Sequence, residues 1–307
     1  MNRRAGLAQR NIFDGGNMGS VITIMNMKGG VGKTTIAAHL AGILARYAMG
    51  GKPRKVLVID YDPQFNLSQA FLPAKIYFAL EKARKTTLSI LLDDDVNLNP
   101  YQLQVSGNHT PPSVGSIVTR VFGTHGNKSF LDILPSTLDL MYVALGQGAA
   151  QTAPFEERFE KFIDEAKSIY DVVLIDCHPA GSLFTKTSLR NSDHVVIPVV
   201  PQQYALRGIG LMLNFIKSKK TGASSTTPHI LFNLTSRVKI SAQETAIRAN
   251  AEFSDLCMVN TLKKYKGLSE PEGGKGFVWS SKKPYSTEAF TNLLKIGREL
   301  LERTGVK

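Results

Sequence analysis

One short glycine-rich segment restricts the possible folds of this chain more than any other feature of its sequence. Residues 28–35 read KGGVGKTT; they follow an apolar run at 21–25 and precede a helical apolar pattern at 34–49. Glycines allow backbone N–H groups to approach an anion closely, and the positive end of a helix dipole stabilises negative charge at the same point. The strand–loop–helix order therefore predicts a phosphate-binding loop, a feature of α/β folds built on a parallel sheet.

Each residue type in this loop has a predicted role in binding a nucleotide. The backbone amides are expected to surround the phosphates, and Lys33 is expected to reach the β- and γ-phosphates. The Thr34 hydroxyl is placed to bind Mg²⁺. ATP and Mg²⁺ are therefore the expected ligands. The predicted nucleotide-binding residues are Gly29, Gly30, Val31, Gly32, Lys33, Thr34 and Thr35.

The rest of the chain alternates short apolar runs with helical patterns. Strands are predicted at 55–59, 172–175, 195–199 and 229–232, and a helix with regularly spaced phenylalanines precedes the strand at 172–175. This alternation is typical of a parallel sheet covered by helices on both faces. We therefore predict the α/β class, with a mostly parallel, twisted sheet flanked by helices, as in P-loop nucleoside triphosphatases.

Two stretches interrupt this alternation. Residues 1–20 contain no regular apolar pattern, and we expect a flexible tail there. Residues 95–127 are rich in Asn, Pro, Ser, Thr and Gly, and we expect an inserted surface loop with a short strand at 116–122. The prediction is thus a single ATPase domain at 21–307 with one insertion.

Aspartates end two of the predicted strands. Asp60 and Asp62 follow the strand at 55–59, and Asp176 follows the strand at 172–175. Carboxylates at the carboxyl ends of parallel strands face the ligand crevice of an open α/β sheet. We predict that Asp176 binds Mg²⁺, and that one of Asp60 and Asp62 holds Mg²⁺ through water while the other orients the attacking water.

The chain carries a strong positive charge. Its 37 basic and 25 acidic residues give a net charge of +12, and residues 201–307 alone contain 17 basic and eight acidic residues. Such an excess favours a nucleic acid or an anionic membrane surface as partner, with solubility alone as the alternative. Two cysteines indicate no disulfide framework, and no apolar run has the length of a membrane span. We expect a cytoplasmic protein without stable membrane insertion.

These motifs together resemble the ParA/MinD class of P-loop ATPases, which have a deviant Walker A loop, and most closely the ParA partitioning ATPases. Lys28, five residues before Lys33, carries the resemblance. In that class this extra lysine reaches the partner subunit's ATP, which makes it a predicted catalytic residue. Residues 60–64 (DYDPQ) are similar to the DxDPQ motif of the class, whose second aspartate, here Asp62, takes part in hydrolysis. The resemblance thus implies that Asp62 is a catalytic residue beside Lys33 and that Asp60 binds Mg²⁺ with Asp176. Asn233 lies where the class often contacts adenine.

The resemblance implies a function as well as a fold. It implies a homodimer formed on ATP binding, slow hydrolysis stimulated by a centromere-binding, ParB-like partner, and non-specific binding to DNA. The protein would then be nucleoid-associated and would drive plasmid or chromosome partition. The lysines that we expect to contact DNA are Lys217, Lys219, Lys220, Lys263, Lys264 and Lys266.

The same sequence allows other interpretations. A MinD-like membrane switch is the alternative, because residues 290–301 have the apolar pattern of an amphipathic helix. Packing of that helix against the core explains the same pattern. We discount an iron–sulfur relative, because Cys177 and Cys257 lie far apart in sequence. The tail is too short for a helix-turn-helix domain, so site-specific DNA reading is not expected.

Overall fold

A mostly parallel β-sheet forms the centre of the molecule. The computed structural model describes residues 18–96, 98–99, 102–144, 149–178, 182–218, 226–268 and 271–306. Across these residues the strands are β1 (Ser20–Ile24), β2 (Lys55–Tyr61), β3 (Thr119–Gly123), β4 (Phe130–Leu134), β5 (Val172–Cys177), β6 (His194–Val199), β7 (Thr227–Thr235) and β8 (Leu262–Lys263). Their order in the sheet is β3-β4-β2-β5-β1-β6-β7-β8. Every neighbouring pair is parallel except β3 with β4.

Helices cover both faces of this sheet. They are α1 (Lys33–Arg46), α2 (Asn66–Phe71), α3 (Ala74–Lys82), α4 (Leu88–Leu91), α5 (Val114–Ile117), α6 (Leu140–Ala144), α7 (Ala149–Ile169), α8 (Leu183–Arg190), α9 (Ala205–Ser218), α10 (Ala242–Arg248) and α11 (Ser286–Thr304). Side chains of α1 and α11 belong to one buried apolar cluster, and side chains of α7 and α9 belong to a second. The predicted α/β class, with helices on both faces of a mostly parallel sheet, is confirmed.

Strand β1 shows why its apolar run is continuous. Ile22 and Ile24 belong to the cluster on the α1 side, whereas Val21 belongs to the cluster on the α7 side. Successive side chains of a strand point to opposite faces, so a strand covered on both faces is apolar at most positions. The polar exception inside β1 is buried Thr23, whose hydroxyl is hydrogen-bonded to that of Ser192 at 2.6 Å. Strand β1 lies between β5 and β6 in the middle of the sheet. Its carboxyl end is therefore in the middle of the carboxyl edge, the edge of the sheet at which the parallel strands end.

The segment 95–127, where we expected a surface loop with a short strand at 116–122, holds a strand close to that position. It includes α5 and the edge strand β3, which pairs antiparallel with β4. The sequence did not predict β4, because Asp132 interrupts its apolar run. Asp132 is nevertheless buried, since it pairs with Arg120 of β3 and accepts a hydrogen bond from the Tyr170 hydroxyl at 2.7 Å.

Helix α11 packs its apolar face against the protein itself. Leu293, Ile296 and Leu300 are at most 1% exposed and belong to the same cluster as α1. The apolar face that motivated the membrane alternative is therefore covered within the monomer. Within the described ranges, no helix has both the length and the apolar character that crossing a membrane requires.

Replacing Gly42 by alanine is expected to destabilise the fold by about 1–3 kcal/mol, although alanine favours helices. A Cβ at Gly42, inside α1, would lie 1.9 Å from the Trp279 ring. Gly208 in α9 is the matched control, because a Cβ there meets nothing within 4 Å. Its replacement is expected to stabilise by about 0.5–1 kcal/mol. Denaturant unfolding measures both values, and equal effects at the two positions would contradict the packing of α1 on Trp279.

Candidate nucleotide-binding site

The glycine-rich loop joins the carboxyl end of β1 to the start of α1. Gly30 and Gly32 have φ values of 70° and 84°, in the left-handed region that glycine adopts without strain. The Gly32 carbonyl accepts the Ile36 amide at 2.9 Å, which begins the helix. A Cβ on Gly29 or Gly30 would meet no atom within 4 Å, so the loop is open on that side. Backbone amides and the first turn of α1 are thereby available to a phosphate group.

The two lysines of the loop differ in burial and in contacts. Lys33 is buried at the start of α1, and its Nζ lies 3.5 Å from the carbonyl oxygen of Lys28. The Lys28 side chain is exposed, and its Nζ donates to Gln202 Oε1 at 3.3 Å. Lys33 is therefore folded against the loop that would hold the phosphates, whereas Lys28 lies at the protein surface.

Asn26 anchors the loop to a neighbouring strand, and sequence reasoning missed it. Its side-chain Nδ2 donates to the Pro198 carbonyl of β6 at 2.7 Å, and its Oδ1 accepts the Lys28 amide at 2.9 Å. The loop thus leaves β1 in a direction set by β6. An amide side chain directly after an apolar strand is the signal in the sequence that could have identified this residue.

Asp60 and Asp176 lie side by side, because the parallel register of β2 and β5 places them opposite each other. Both are buried, at 0% and 1% exposure. Burial raises the pKa of Asp176 to about 7, although the nearby Thr34 hydroxyl and Lys33 oppose this shift. Burial, and then the charge of Asp176, raise the pKa of Asp60 well above its ordinary value. Burial and charge repulsion disfavour the ionised form of these two carboxyl groups, and a bound cation would relieve both effects.

The oxygen atoms around Asp176 fit a magnesium ion. Neither carboxylate oxygen of Asp176 makes a hydrogen bond of ordinary geometry to a residue that the structure describes. The Thr34 hydroxyl is nevertheless close enough to favour the charged form of Asp176. Carboxylate oxygens, phosphates and water are the ligands that Mg²⁺ prefers. Thr34 and Asp176 are thus suitable ligands, direct or through water, next to a bound triphosphate.

Asp60 also has a structural task that the sequence did not reveal. Its Oδ2 accepts hydrogen bonds from the Ser68 amide at 2.7 Å and from the Ser68 hydroxyl at 2.6 Å. Its Oδ1 accepts the Asp62 amide at 3.3 Å. Both oxygens of Asp60 therefore hold the connection between β2 and α2, and its role as a magnesium ligand stays a prediction.

Asp62 lies in that connection and is half-buried. Its Oδ1 accepts the Gln64 amide at 2.9 Å, and its carbonyl accepts the Ser136 hydroxyl at 2.7 Å. The Ser136 amide in turn donates to the Ser68 hydroxyl at 2.9 Å. Residues far apart in sequence thus hold Asp62 at the carboxyl edge of the sheet, close enough for its charge to raise the pKa of Asp176.

Asn233, near the end of β7, lies directly under the loop. It is 3% exposed, its Nδ2 donates to the Val31 carbonyl at 2.7 Å, and its Oδ1 accepts the Leu234 amide at 2.8 Å. A Cβ on Gly32 would lie 2.4 Å from the same Nδ2. Asn233 therefore supports the loop, and its predicted contact with adenine stays a prediction.

The four predicted DNA-binding lysines that the structure describes lie at two different edges of the sheet. Strand β8 pairs with the end of β7, so Lys263, Lys264 and Lys266 lie near the edge that carries the glycine-rich loop. Lys217 is in the last turn of α9, the helix that returns the chain toward the edge where β7 begins. Strand β7 has nine residues, which separates the two edges by roughly 25 Å. Lys219 and Lys220 lie outside the described residues.

Fold and site together define the class: a P-loop nucleoside triphosphatase with two lysines in its phosphate-binding loop. A sequence profile of the AAA domain family matches residues 19–227. The chain belongs to this family, and its similarity to partitioning proteins confirms the predicted ParA type.

One sequence relative and two solved structures of the same fold are similar to the chain over most of its length. The chain is 28% identical over 284 residues to the sporulation initiation inhibitor protein Soj of Bacillus subtilis, which covers 91% of this chain and 98% of Soj. A putative plasmid partition protein from Borrelia burgdorferi, solved bound to AMPPNP, superposes with a TM-score of 0.63 at 22% identity, over 93% and 99% of the two chains. The structure of pNOB8 ParA bound to nonspecific DNA has a TM-score of 0.60 at 22% identity, over 94% and 99%. Both structures share the fold of this chain.

Proposed function

We propose that this protein is a Mg²⁺-dependent ATPase that dimerises around ATP, binds DNA without sequence preference and drives DNA segregation. The observation that carries this proposal is the contrast between the two loop lysines. Lys33 is buried against the loop, and Lys28 lies exposed on the same loop. Phosphate binding within one chain needs only the first of these. The exposed lysine therefore supports a nucleotide site that a second subunit completes.

Each residue of the site has a role in this proposal. Lys33 and the loop amides hold the β- and γ-phosphates. Asn233 contacts adenine and also supports the loop through its hydrogen bond to Val31. Thr34 and Asp176, with Asp60 adjacent, would hold Mg²⁺, which when bound neutralises charge on the phosphate oxygens. Asp62 orients the attacking water. Lys28 stabilises the transition-state charge at the partner's nucleotide, as an arginine finger does.

Slow hydrolysis follows from this arrangement. A P-loop site that lacks an arginine finger, a positively charged side chain supplied to the transition state, hydrolyses its nucleotide slowly, and supplying that side chain raises the rate by about 10³- to 10⁵-fold. In this protein Lys28 of another subunit would supply the charge, so a monomer is expected to be nearly inactive. A centromere-binding, ParB-like protein would further stimulate the dimer and release it from DNA.

The charge of the protein supports DNA as its partner. The net charge is +12, and Lys263, Lys264 and Lys266 lie near the nucleotide edge of the sheet. Lysine contacts to phosphates bind DNA without reading its sequence. The similarity to pNOB8 ParA, which was solved on nonspecific DNA, supports the same conclusion. We therefore propose a cytoplasmic protein that associates with the nucleoid.

ATP is expected to raise the affinity for a random DNA duplex by about tenfold or more relative to ADP or no nucleotide. The logarithm of that affinity should fall linearly with the logarithm of the salt concentration, because bound lysines displace counterions. Fluorescence anisotropy at two or more salt concentrations in each nucleotide state measures both effects. No binding in any state would contradict the proposal, and vesicle flotation with ATP would then test the MinD-like alternative.

Matched lysine variants show which edge of the sheet faces the DNA. Lys264→Ala is expected to weaken binding and to reduce the salt slope by about 1, as the loss of one phosphate contact does. Lys217→Ala, at the opposite edge, serves as the control. A reduced slope for Lys217→Ala alone would place DNA at the edge where β7 begins.

A further inference from the structure

We propose that Asn233 couples the nucleotide-binding loop to residues 262–268, the basic segment, so that ATP binding sets the position of the lysines that contact DNA. The basic segment contains Lys263, Lys264 and Lys266. This inference rests on the proposed function, because it explains how the nucleotide state reaches the DNA-binding surface of the same molecule.

The first part of the connection is the contact between Asn233 and the loop. The side-chain Nδ2 donates to the Val31 carbonyl at 2.7 Å across 202 positions of sequence. Val31 is itself buried, so this carbonyl has little access to water as an alternative partner. A buried polar group that loses its partner costs about 1–3 kcal/mol. A rearrangement of the loop around phosphates must therefore either move Asn233 along with it or break this bond.

The second part is the irregular end of β7. Asn233 pairs with Leu262 and Thr235 pairs with Lys263, and the register shifts between these two pairs. Leu234, between them, has a φ of 54°, a left-handed conformation that is costly for a residue other than glycine. Its amide donates to Asn233 Oδ1 at 2.8 Å. The side chain that holds the loop thus also holds the strained residue that sets the pairing with the basic segment.

The third part fastens the basic segment to this strand end. The Lys264 amide donates to the Thr235 carbonyl at 3.0 Å, and the Thr235 hydroxyl lies 3.1 Å from that of Thr261. Asn292 of α11 accepts the Lys263 amide at 3.0 Å. The amide of Lys264 therefore fixes the basic segment to β7, and the amide of Lys263 fixes it to α11.

A separate contact ties the far end of the basic segment to α1. The Nε2 of buried His39 lies 3.1 Å from the Leu268 carbonyl, which accepts a hydrogen bond from the ring N–H. Burial lowers the pKa of His39 to about 4, so the ring is neutral at pH 7. Because α1 begins at the nucleotide-binding loop, both ends of the basic segment are linked to the elements that bind ATP. Asn233 contacts the loop itself, so it is the positioning residue to test.

The first test compares DNA affinity with and without ATP in the full-length chain. Each variant is saturated with nucleotide at a concentration chosen from its own measured ATP affinity. We expect Asn233→Ala to lower the ratio of the two DNA affinities at least about fivefold, a typical allosteric coupling factor. Thr235→Val removes the hydroxyl contact with Thr261 without touching the loop, and it is expected to lower the ratio as well. Asn250→Ala, on the turn after α10, is the matched control and should leave the ratio unchanged.

The second test needs no DNA. The amides of Lys263 and Lys264 are both hydrogen-bonded, so their exchange with deuterium reports the order of the basic segment. ATP is expected to change the exchange rate of a peptide that contains these amides in the wild-type chain. The same change should be absent or much smaller in Asn233→Ala, again at saturating ATP.

The outcomes distinguish a coupling of the nucleotide state to the basic segment from a purely structural role of Asn233. An Asn233→Ala chain that weakens DNA binding equally in all nucleotide states would overturn the proposal, and so would one that keeps the full wild-type ratio. If wild-type DNA binding does not depend on ATP, the proposed DNA function fails, and the exchange experiment alone decides the coupling. An ATP-induced change at 263–264 that disappears in Asn233→Ala supports it, and a change that persists overturns it.

Discussion

Replacing Lys28 by alanine is expected to lower the rate of ATP hydrolysis by about 10³-fold or more, as loss of an arginine finger does. The Lys28 side chain is exposed and contacts Gln202, whereas Lys33 lies against the loop, so ATP affinity is expected to change by less than about tenfold. Dimer formation with ATP should also weaken, because Lys28 would lie between the subunits. Lys33→Ala is the contrasting variant and should lose ATP binding itself. Turnover measures hydrolysis, nucleotide titration measures ATP affinity, and light scattering measures dimer formation. Wild-type turnover by Lys28→Ala would contradict the proposal that a second subunit completes the nucleotide site.

A mixture of two inactive variants tests whether Lys28 acts across the interface. In a dimer of one Lys28→Ala chain and one Asp62→Ala chain, the first chain keeps Asp62 at its own nucleotide and receives Lys28 from the second. An equal mixture should therefore recover about a quarter of the wild-type activity, since half of the dimers are mixed and each holds one complete site. If Lys28 acts on its own chain's nucleotide, mixing restores nothing.

Replacing Asp62 by alanine is expected to reduce hydrolysis by about 10²- to 10⁴-fold, the usual contribution of a group that positions or activates water. ATP binding should persist, because the loop amides and Lys33 are unchanged. The substitution removes the hydrogen bond from the Gln64 amide to the Asp62 side chain, but the connection should stay in place because Ser136 binds the Asp62 carbonyl. The variant should therefore accumulate as an ATP-bound dimer that remains on DNA.

Single-turnover hydrolysis and DNA dissociation rates measure this trapped state. Asp94→Ala, at an exposed aspartate outside the site, is the control and should behave as wild type. Normal hydrolysis by Asp62→Ala would assign the positioning of water to another residue, and rapid dissociation from DNA would separate hydrolysis from release.

The phosphate-binding loop shows which features local sequence predicts well. Its glycines, Lys33 and Thr34 act within eight consecutive residues, and their chemistry depends on neighbours along the chain. The strands predicted at 55–59, 172–175 and 195–199 correspond to β2, β5 and β6 for the same reason, since continuous apolar runs indicate double burial. Parallel pairing then brings Asp60 and Asp176 together, as strand-end carboxylates suggested.

Strands with polar or very short sequences escaped prediction. Asp132 in β4 is satisfied by Arg120 and the Tyr170 hydroxyl, partners that come from different parts of the chain. Strand β8 has two residues, and only pairing with the end of β7 identifies it. In both cases the information that makes the segment a strand lies in its partner and not in its own residues.

The amino-acid order alone was thus enough for the α/β class, the nucleotide loop and the identity of the acidic residues near it, because each depends on chemistry within a few neighbouring positions. Only the tertiary structure decided the side-chain contacts that reach across the sheet. It placed Asp60 on Ser68 and Asn233 on Val31, and it put Lys217 and Lys264 at opposite edges. A side chain's hydrogen-bond partners depend on strand order and register, and these are set by the packing of the whole core and not by any one segment.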